Sequence, residues 1–380
     1  MKTHANPKIL RWARENTHYT IPHIAKELKK DESVIISWEN GSDSPSYTLL
    51  EKLAYQYYNL PLAVFYFPDP PNIENPKTKM RRLPEYELER LSPDTYNMIN
   101  LGMGYQQSLI DLLGQNNKEN AIFKIIKNKL NTDILSLANL VRQYLNINIE
   151  QQINFKTNDN AFKAWRYEIE KAGIFTFKNS FKDKFISGFS LFHEEYPIIF
   201  INNSNSHTRQ IFTLIHELAH ILFGINGISD IDDSYLSMMS SEEKQIEINC
   251  NRFAAEFLIP LRIINSELMN LTVINESTIS DLSNKYKVSR EVILRRLLDI
   301  NILSADDYQN YVKKWTNDYL RFKKEKSGGS YYLNKLAYLG EGFTNIAFNN
   351  YKTGNISNIE LAQHLNMNSK NIAKLETYLR

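Results

Sequence analysis

A multidomain, mainly α protein with one small α+β domain at its centre is the fold class that this sequence predicts. Three observations predict it. Helical periodicity fills residues 1–70 and stops at Pro68, Pro70 and Pro71. Three short β-like runs then cluster at Ile174–Phe177, Ile186–Phe192 and Tyr196–Ile201, followed by two helical patterns at Thr208–Phe223 and Ser241–Leu258. Beyond Pro260 the pattern is helical again, interrupted by Ser327-Gly328-Gly329-Ser330. A chain of 380 residues exceeds what one core usually organises. Its 42% hydrophobic and 23% charged residues are those of a globular protein.

In chain order, helices are expected at Pro7–Glu15, Ile21–Leu28, Glu32–Asn40 and Tyr47–Tyr57, making an all-α domain over 1–70. Residues 71–130 mix basic positions (Lys77, Lys79, Arg81, Arg82) with helical periodicity and read as a connector of one or two helices. The next domain, 131–265, opens with a helix from Asp133 through Tyr144 and another over Ala161–Lys171, closed by Gly173. Its three β-runs and two helices, with an acidic loop between the helices, predict helices on one face of a sheet. Residues 266–380 form a helical C-terminal region. Ile21–Trp38, Ile279–Leu297 and Ile359–Leu375 share a rhythm of short helix, turn and second helix, which suits nucleic-acid reading or simple packing.

The net charge of +2 is unevenly spread. Residues 1–70 balance 8 basic against 8 acidic, 211–260 carry 2 against 8, and 281–380 carry 16 against 10. Any nucleic-acid contact is therefore expected toward the C-terminal end. The N-terminus lacks the apolar core of a secretory signal, and the longest apolar run, Leu60–Phe67, is too short to span a bilayer, so a cytoplasmic location is expected. A single cysteine, Cys250, excludes an internal disulfide and leaves histidines and carboxylates as the expected metal ligands.

The sharpest signal is His216-Glu217-Leu218-Ala219-His220 within an apolar helical stretch. Positions four apart share a helix face, so both imidazoles can hold one ion, with Glu217 beside it as the base that takes a proton from water. Zn2+, one per chain, is the natural occupant. A catalytic ion needs a third protein ligand. Glu247 follows a possible capping box at Ser240 and Glu243 and shares a stripe with Asn251, Ala254 and Ala255, whose small side chains permit close helix approach. By spacing alone Glu247 is either that ligand or one solvated carboxylate among several. Asn251 suits a supporting role, steadying a ligand. His193, Tyr196, His207 and Tyr235 are the residue types available to stabilise an oxyanion.

At these residues the chain resembles the ImmA/IrrE family of metallo-endopeptidases, in which a second motif, E-x-x-A-N-x-F-A-A, follows the HEXXH helix. Here that motif stands as Glu247-Ile248-Asn249-Cys250-Asn251-Arg252-Phe253-Ala254-Ala255, running on to Leu258-Ile259-Pro260, with Cys250 in place of the usual alanine, a small residue whose thiol, one turn after Glu247, is also a candidate stray ligand. Gly188-Phe189-Ser190 and Arg209–Leu214 also resemble the family. The resemblance implies a zincin-like metallopeptidase domain with Glu247 as third ligand. It also implies a transcriptional repressor, of helix-turn-helix type, or an antitoxin-like regulator as the protein substrate.

Ile24-Ala25-Lys26-Glu27-Leu28, Trp38-Glu39-Asn40-Gly41 with Pro45, and Leu49–Ala54 resemble an Xre/Cro-type helix-turn-helix domain. That resemblance makes Glu32–Trp38 the recognition helix, places Lys30, Ser33 and Ser37 toward double-stranded DNA, and brings homodimerisation by analogy. The neutral local charge and the acids Asp31 and Glu32 equally fit a partner-docking module. The leading expectation is a cytoplasmic zinc-dependent endopeptidase coupled to this module. The alternative is a non-catalytic DNA-binding regulator with a structural or sensory metal site.

Overall fold

The structure, a computed structural model, describes residues 2–58, 60–71, 91–114, 122–123, 133–183, 185–230, 239–269, 271, 273–322 and 329–379. Lys77, Lys79, Arg81, Arg82 and Tyr235 lie outside these residues, as do Ser327 and Gly328. The chain divides into two compact units, Met1–Asn100 and Leu101–Arg380. It is mostly helical, with one four-stranded mixed sheet in the second unit. Among the described residues no helix is long and apolar enough to cross a membrane.

In the first unit, helices run over Pro7–Asn16, Ile21–Leu28, Glu32–Glu39 and Tyr47–Lys52. Asn6, Thr20 and Ser46 begin three of them by accepting from the backbone N–H of Lys8, His23 and Leu49. The second ends on Lys29, which sits in the left-handed region at φ 53°. A non-glycine residue there costs about 1 kcal/mol. The apolar stripes meet through Ile9, Leu10, Ala13, Ile24, Ile35, Trp38, Leu50 and Phe65. Glu39, buried beside Trp38, receives Arg14 Nε at 2.6 Å and Nη2 at 2.9 Å, so the acid of the Trp-Glu motif is a clamp between the first and third helices. Lys30 and Ser33 are exposed, whereas the Ser37 hydroxyl donates to Val34 O at 2.7 Å within its own helix.

The second unit is built on strands β1 (Phe175–Asn179), β2 (Ile186–Leu191), β3 (Ile198–Asn202) and β4 (Gly227–Asp230), in spatial order β1-β3-β2-β4. β1 runs parallel to β3, while β2 is antiparallel to both β3 and β4. β4 stands at the start of the acidic loop expected between the two helices, whose residues 231–238 lie outside the described residues: Gly227, Ile228 and Ser229 pair with Ser190, Phe189 and Gly188. The segment carries no run of β-formers and is recruited by the free edge of β2.

The sheet is buried on both faces, which corrects the expectation of helices on one face only. Ile199 and Ile201 point to the side of the helix His207–Leu222 and join its core. Phe177, Phe189 and Phe200 point the other way. There Tyr105 of the helix Pro93–Leu113 stacks on Phe177 at 4.5 Å, and Phe343 of the helix Glu341–Lys352 meets Phe177 edge-on at 5.1 Å. The unbroken run Ile198-Ile199-Phe200-Ile201 is the pattern of a strand with no wet face.

The helices Glu276–Tyr286 and Arg290–Asp299 and the turn between them contribute Leu282, Val288, Val292, Ile293 and Leu297 to the core that holds Ile211, Leu214 and Leu218. One core therefore crosses position 265. Gln152 reinforces this by donating to Leu258 O at 3.1 Å and Tyr286 O at 2.7 Å. In this second helix-turn-helix-like unit Arg296 is fully buried and paired with Asp299 at 2.9 Å, so it faces inward rather than toward a phosphate backbone.

Candidate metal centre

The helix His207–Leu222 starts where Ser206 Oγ accepts from Arg209 N, and every residue from Gln210 to Leu222 is buried. It lies against β2 where a side chain would not fit: a Cβ on Gly188 would stand 2.7 Å from Phe200 O and from Thr213 Cγ2. The glycine thus sets how deeply this helix sits on the sheet. The helix Ser241–Leu258 begins with the Ser240/Glu243 capping box and packs across it, with Ala254 and Ala255 buried between.

These two helices bring His216, His220 and Glu247 together. The two imidazole Nε2 atoms are 3.0 Å apart, one turn along the same face. Glu247 Oε2 lies 3.2 Å from His216 Nε2, and Oε1 lies 3.1 Å from His220 Nε2. All three side chains are at least 96% buried. Tetrahedral ligands about 2.0–2.1 Å from one zinc ion stand about 3.3 Å apart, so the three atoms already surround a point that an ion of this size fits.

The electrostatics make the same demand. Burial opposes ionisation of Glu247, yet the charge of His220 and the hydrogen bonds of His216 and His220 hold its carboxyl far below the usual carboxylate range. Burial likewise works against a charged His220, and Cys250 and Glu247 beside it outweigh that and push it well above its ordinary value. Both directions report a call for positive charge at the point the three groups face.

Supporting contacts orient the ligands. His216 Nδ1 is 3.0 Å from Asn251 Oδ1. With Nδ1–H donating to that amide oxygen, Nε2 keeps its lone pair for an ion. The ring of His220 lies against β4: a Cβ on Gly227 would stand 2.5 Å from His220 Cγ and Cδ2. Glu217 is fully buried beside the pair. Ser229 Oγ donates to its Oε1, while Oε2 has no hydrogen-bond partner among the described residues. An anchored carboxylate with one free oxygen suits proton transfer from a water at the centre.

Cys250, the thiol one turn past Glu247, also lies at this cluster. Cys250 is buried, and it, His216 and His220 offer ligand atoms within 4.8 Å of one another. One turn beyond Glu247, it shares that helix face, and burial pushes its thiol up to about 11. Of the residues suggested for an oxyanion, His193 Nδ1 accepts from Glu195 N and Tyr196 N at 3.1 Å. The Tyr196 hydroxyl donates to Gly114 O, and His207 Nε2 is 3.3 Å from Asp159. Three of the four are thus engaged elsewhere. Ser229 and Gly227 were missed from sequence because both act through β4.

Residues 169–298 match the peptidase M78 family model, described as the IrrE N-terminal-like domain. That match spans all four strands, both ligand-bearing helices and the helices 276–299 up to position 298. A stretch of 110 residues, 28% of this chain, is 34% identical to the radiation response metalloprotease IrrE of Deinococcus radiodurans. It spans 33% of that relative's length.

Proposed function

We propose that the domain containing residues 169–298 makes this chain a zinc-dependent endopeptidase. The single observation that carries the reading is Glu217, buried and unpartnered at Oε2, beside three ligand atoms that face one point. His216, His220 and Glu247 would hold the ion. When bound, zinc supplies Lewis acidity toward a peptide carbonyl and lowers the pKa of water toward neutrality.

The chain's own residues do the rest. Glu217 Oε2 takes the proton from the attacking water and returns it to the leaving amine, while Ser229 keeps Oε1 from turning away. Asn251 and the backbone at Gly227 hold the two imidazoles in place. Burial excludes bulk water and strengthens each of these interactions.

The substrate we propose is a cytoplasmic helix-turn-helix repressor or an antitoxin-like regulator, with residues 1–70 as a DNA- or partner-binding module and a homodimer as the assembly. The resemblances in the sequence support this part. One observation favours a second reading, a non-catalytic regulator with a structural or sensory metal. With Cys250 in the cluster the centre has four protein donors, the composition of a closed site.

Glu217→Gln separates the two readings. Newly formed protein N-termini are compared in cells expressing wild type or Glu217→Gln, with zinc content measured on both proteins. The endopeptidase yields a wild-type-specific cut with equal zinc. Identical N-termini with zinc in both proteins would refute it and leave the regulator.

A further inference from the structure

The last of the three stretches that share a rhythm of short helix, turn and second helix lies outside residues 169–298, and the metal centre makes no use of it. Its first helix, Asn358–His364, is followed by a turn at Asn366, which lies in the left-handed region at φ 47°. Ser369–Asn371 and Ile372–Glu376 then make one short helical stretch. Leu361, Ala362, Leu365, Ile372 and Leu375 are at most 4% exposed, and the two helices pack on each other. Asparagine is one of the few residues other than glycine that accepts a left-handed turn, and this tight turn lets the second helix cross the first.

Packing uses the inner face of that second helix and leaves the outer face to solvent. Lys370, Ala373, Lys374 and Thr377 recur at intervals of three and four, and all are exposed, so they form one stripe. Among the described residues neither lysine meets a carboxylate. The Lys374 ammonium lies 5.2 Å from the centre of the Tyr332 ring, which steadies it without neutralising it. Glu376, the acid of this helix, is off the stripe and paired with Lys352 at 3.1 Å. Glu360, on the first helix, is tied back to Ser357 N at 2.7 Å.

The other two stretches present no such surface. In Ile21–Trp38 the second helix exposes Glu32 and Ile36, with Asp31 exposed just ahead of it. In Ile279–Leu297 the second helix is tied into the core: Arg296 is fully buried against Asp299, and Glu291 is held by Arg209 at 2.8 Å and Arg295 at 2.9 Å. Exposed cations on an acid-free second helix belong to the last stretch.

The chemistry of the stripe selects its partner. It has no aromatic or large aliphatic side chain of the kind that anchors a protein interface. Unpaired ammonium groups flanking a small residue suit a polyanion that the helix approaches closely. The major groove of B-form DNA admits a helix, whereas that of duplex RNA is too narrow. We propose that residues 358–377 bind duplex DNA, with the stripe in the major groove and Lys370 and Lys374 on phosphates. The proposal stands whether or not the metal centre cuts peptides.

Fluorescence anisotropy of a labelled random-sequence DNA duplex, titrated with the full chain over a series of salt concentrations, tests it. Wild type is expected to bind at low salt and to lose affinity as salt rises. The double variant Lys370→Glu, Lys374→Glu is expected to bind at least about tenfold more weakly and to flatten the slope of log affinity against log salt by about 2, while circular dichroism and zinc content match wild type. Lys26→Glu, Lys30→Glu, at exposed positions of the first unit, is expected to bind as wild type does. No binding at the lowest salt, tighter binding of single-stranded than of duplex DNA, or an unchanged affinity and slope in the Lys370/Lys374 variant would each overturn the proposal. So would a loss confined to the Lys26/Lys30 variant, which would return DNA contact to residues 1–70.

Discussion

Replacing Gly227 with alanine tests how the metal centre is assembled, because this residue touches no ion and performs no chemistry. An added Cβ would stand 2.5 Å from Cγ and Cδ2 of His220 and 2.8 Å from its Nδ1. Carbon atoms rest about 3.5–4.0 Å apart, so the ring or the strand must give way by about 1 Å. Neither is free to do so. His220 Nε2 is already 3.0 Å from His216 and 3.1 Å from Glu247, and ligand distances tolerate only about 0.2 Å. β4 cannot slide, because Gly227 pairs with Ser190 and Ser229 two residues on holds Glu217. The backbone at Gly227 is not in the left-handed region, so the effect is steric alone. Overpacking of this kind costs about 1–3 kcal/mol. If it falls on the ligand, zinc affinity drops by about 10- to 100-fold. Competition against a chromophoric zinc chelator measures that loss, and thermal melting of the metal-free protein measures any part absorbed by the fold. Unchanged affinity together with unchanged melting would refute the account of His220 pressed against β4.

Three further outcomes are expected. Asn251→Ala removes the oxygen facing His216 Nδ1 and should weaken zinc binding by about 10- to 100-fold in the same competition assay, and it should destabilise the metal-free protein by about 1–3 kcal/mol because the ring donor is left buried and unpaired. Glu39→Ala strips Arg14 of its bidentate partner. It should destabilise the first unit by about 3 kcal/mol, the low end of the range for a broken buried pair, because Arg14 keeps some solvent contact; denaturant unfolding reads it. Gly104→Ala, within the helix Pro93–Leu113 and with no atom within 4 Å of the new Cβ, should raise stability by about 0.5–1 kcal/mol.

How much of this was legible in the sequence follows from how local each feature is. The pairing of His216 with His220 needs only helical geometry, and the capping box at Ser240 and Glu243 needs only a span of three residues. Glu247 is different. Spacing left it as ligand or solvated carboxylate, and the crossing of two helices puts both its oxygens within 3.2 Å of the imidazoles. Cys250 was legible only as a thiol one turn past Glu247, and packing is what brings its sulfur within 4.8 Å of both imidazoles.

By itself, the sequence determined the periodic helices, the apolar runs that became β1, β2 and β3, and a histidine pair competent for a metal, all set by neighbours within a few turns. Only the tertiary structure decided that residues 227–230 form an edge strand, that both faces of the sheet are covered, and that Arg296 turns inward. It alone placed Gly227 and Ser229 against the centre. Those facts depend on which surfaces meet across long stretches of chain, and burial and packing settle that question only once the whole core has formed.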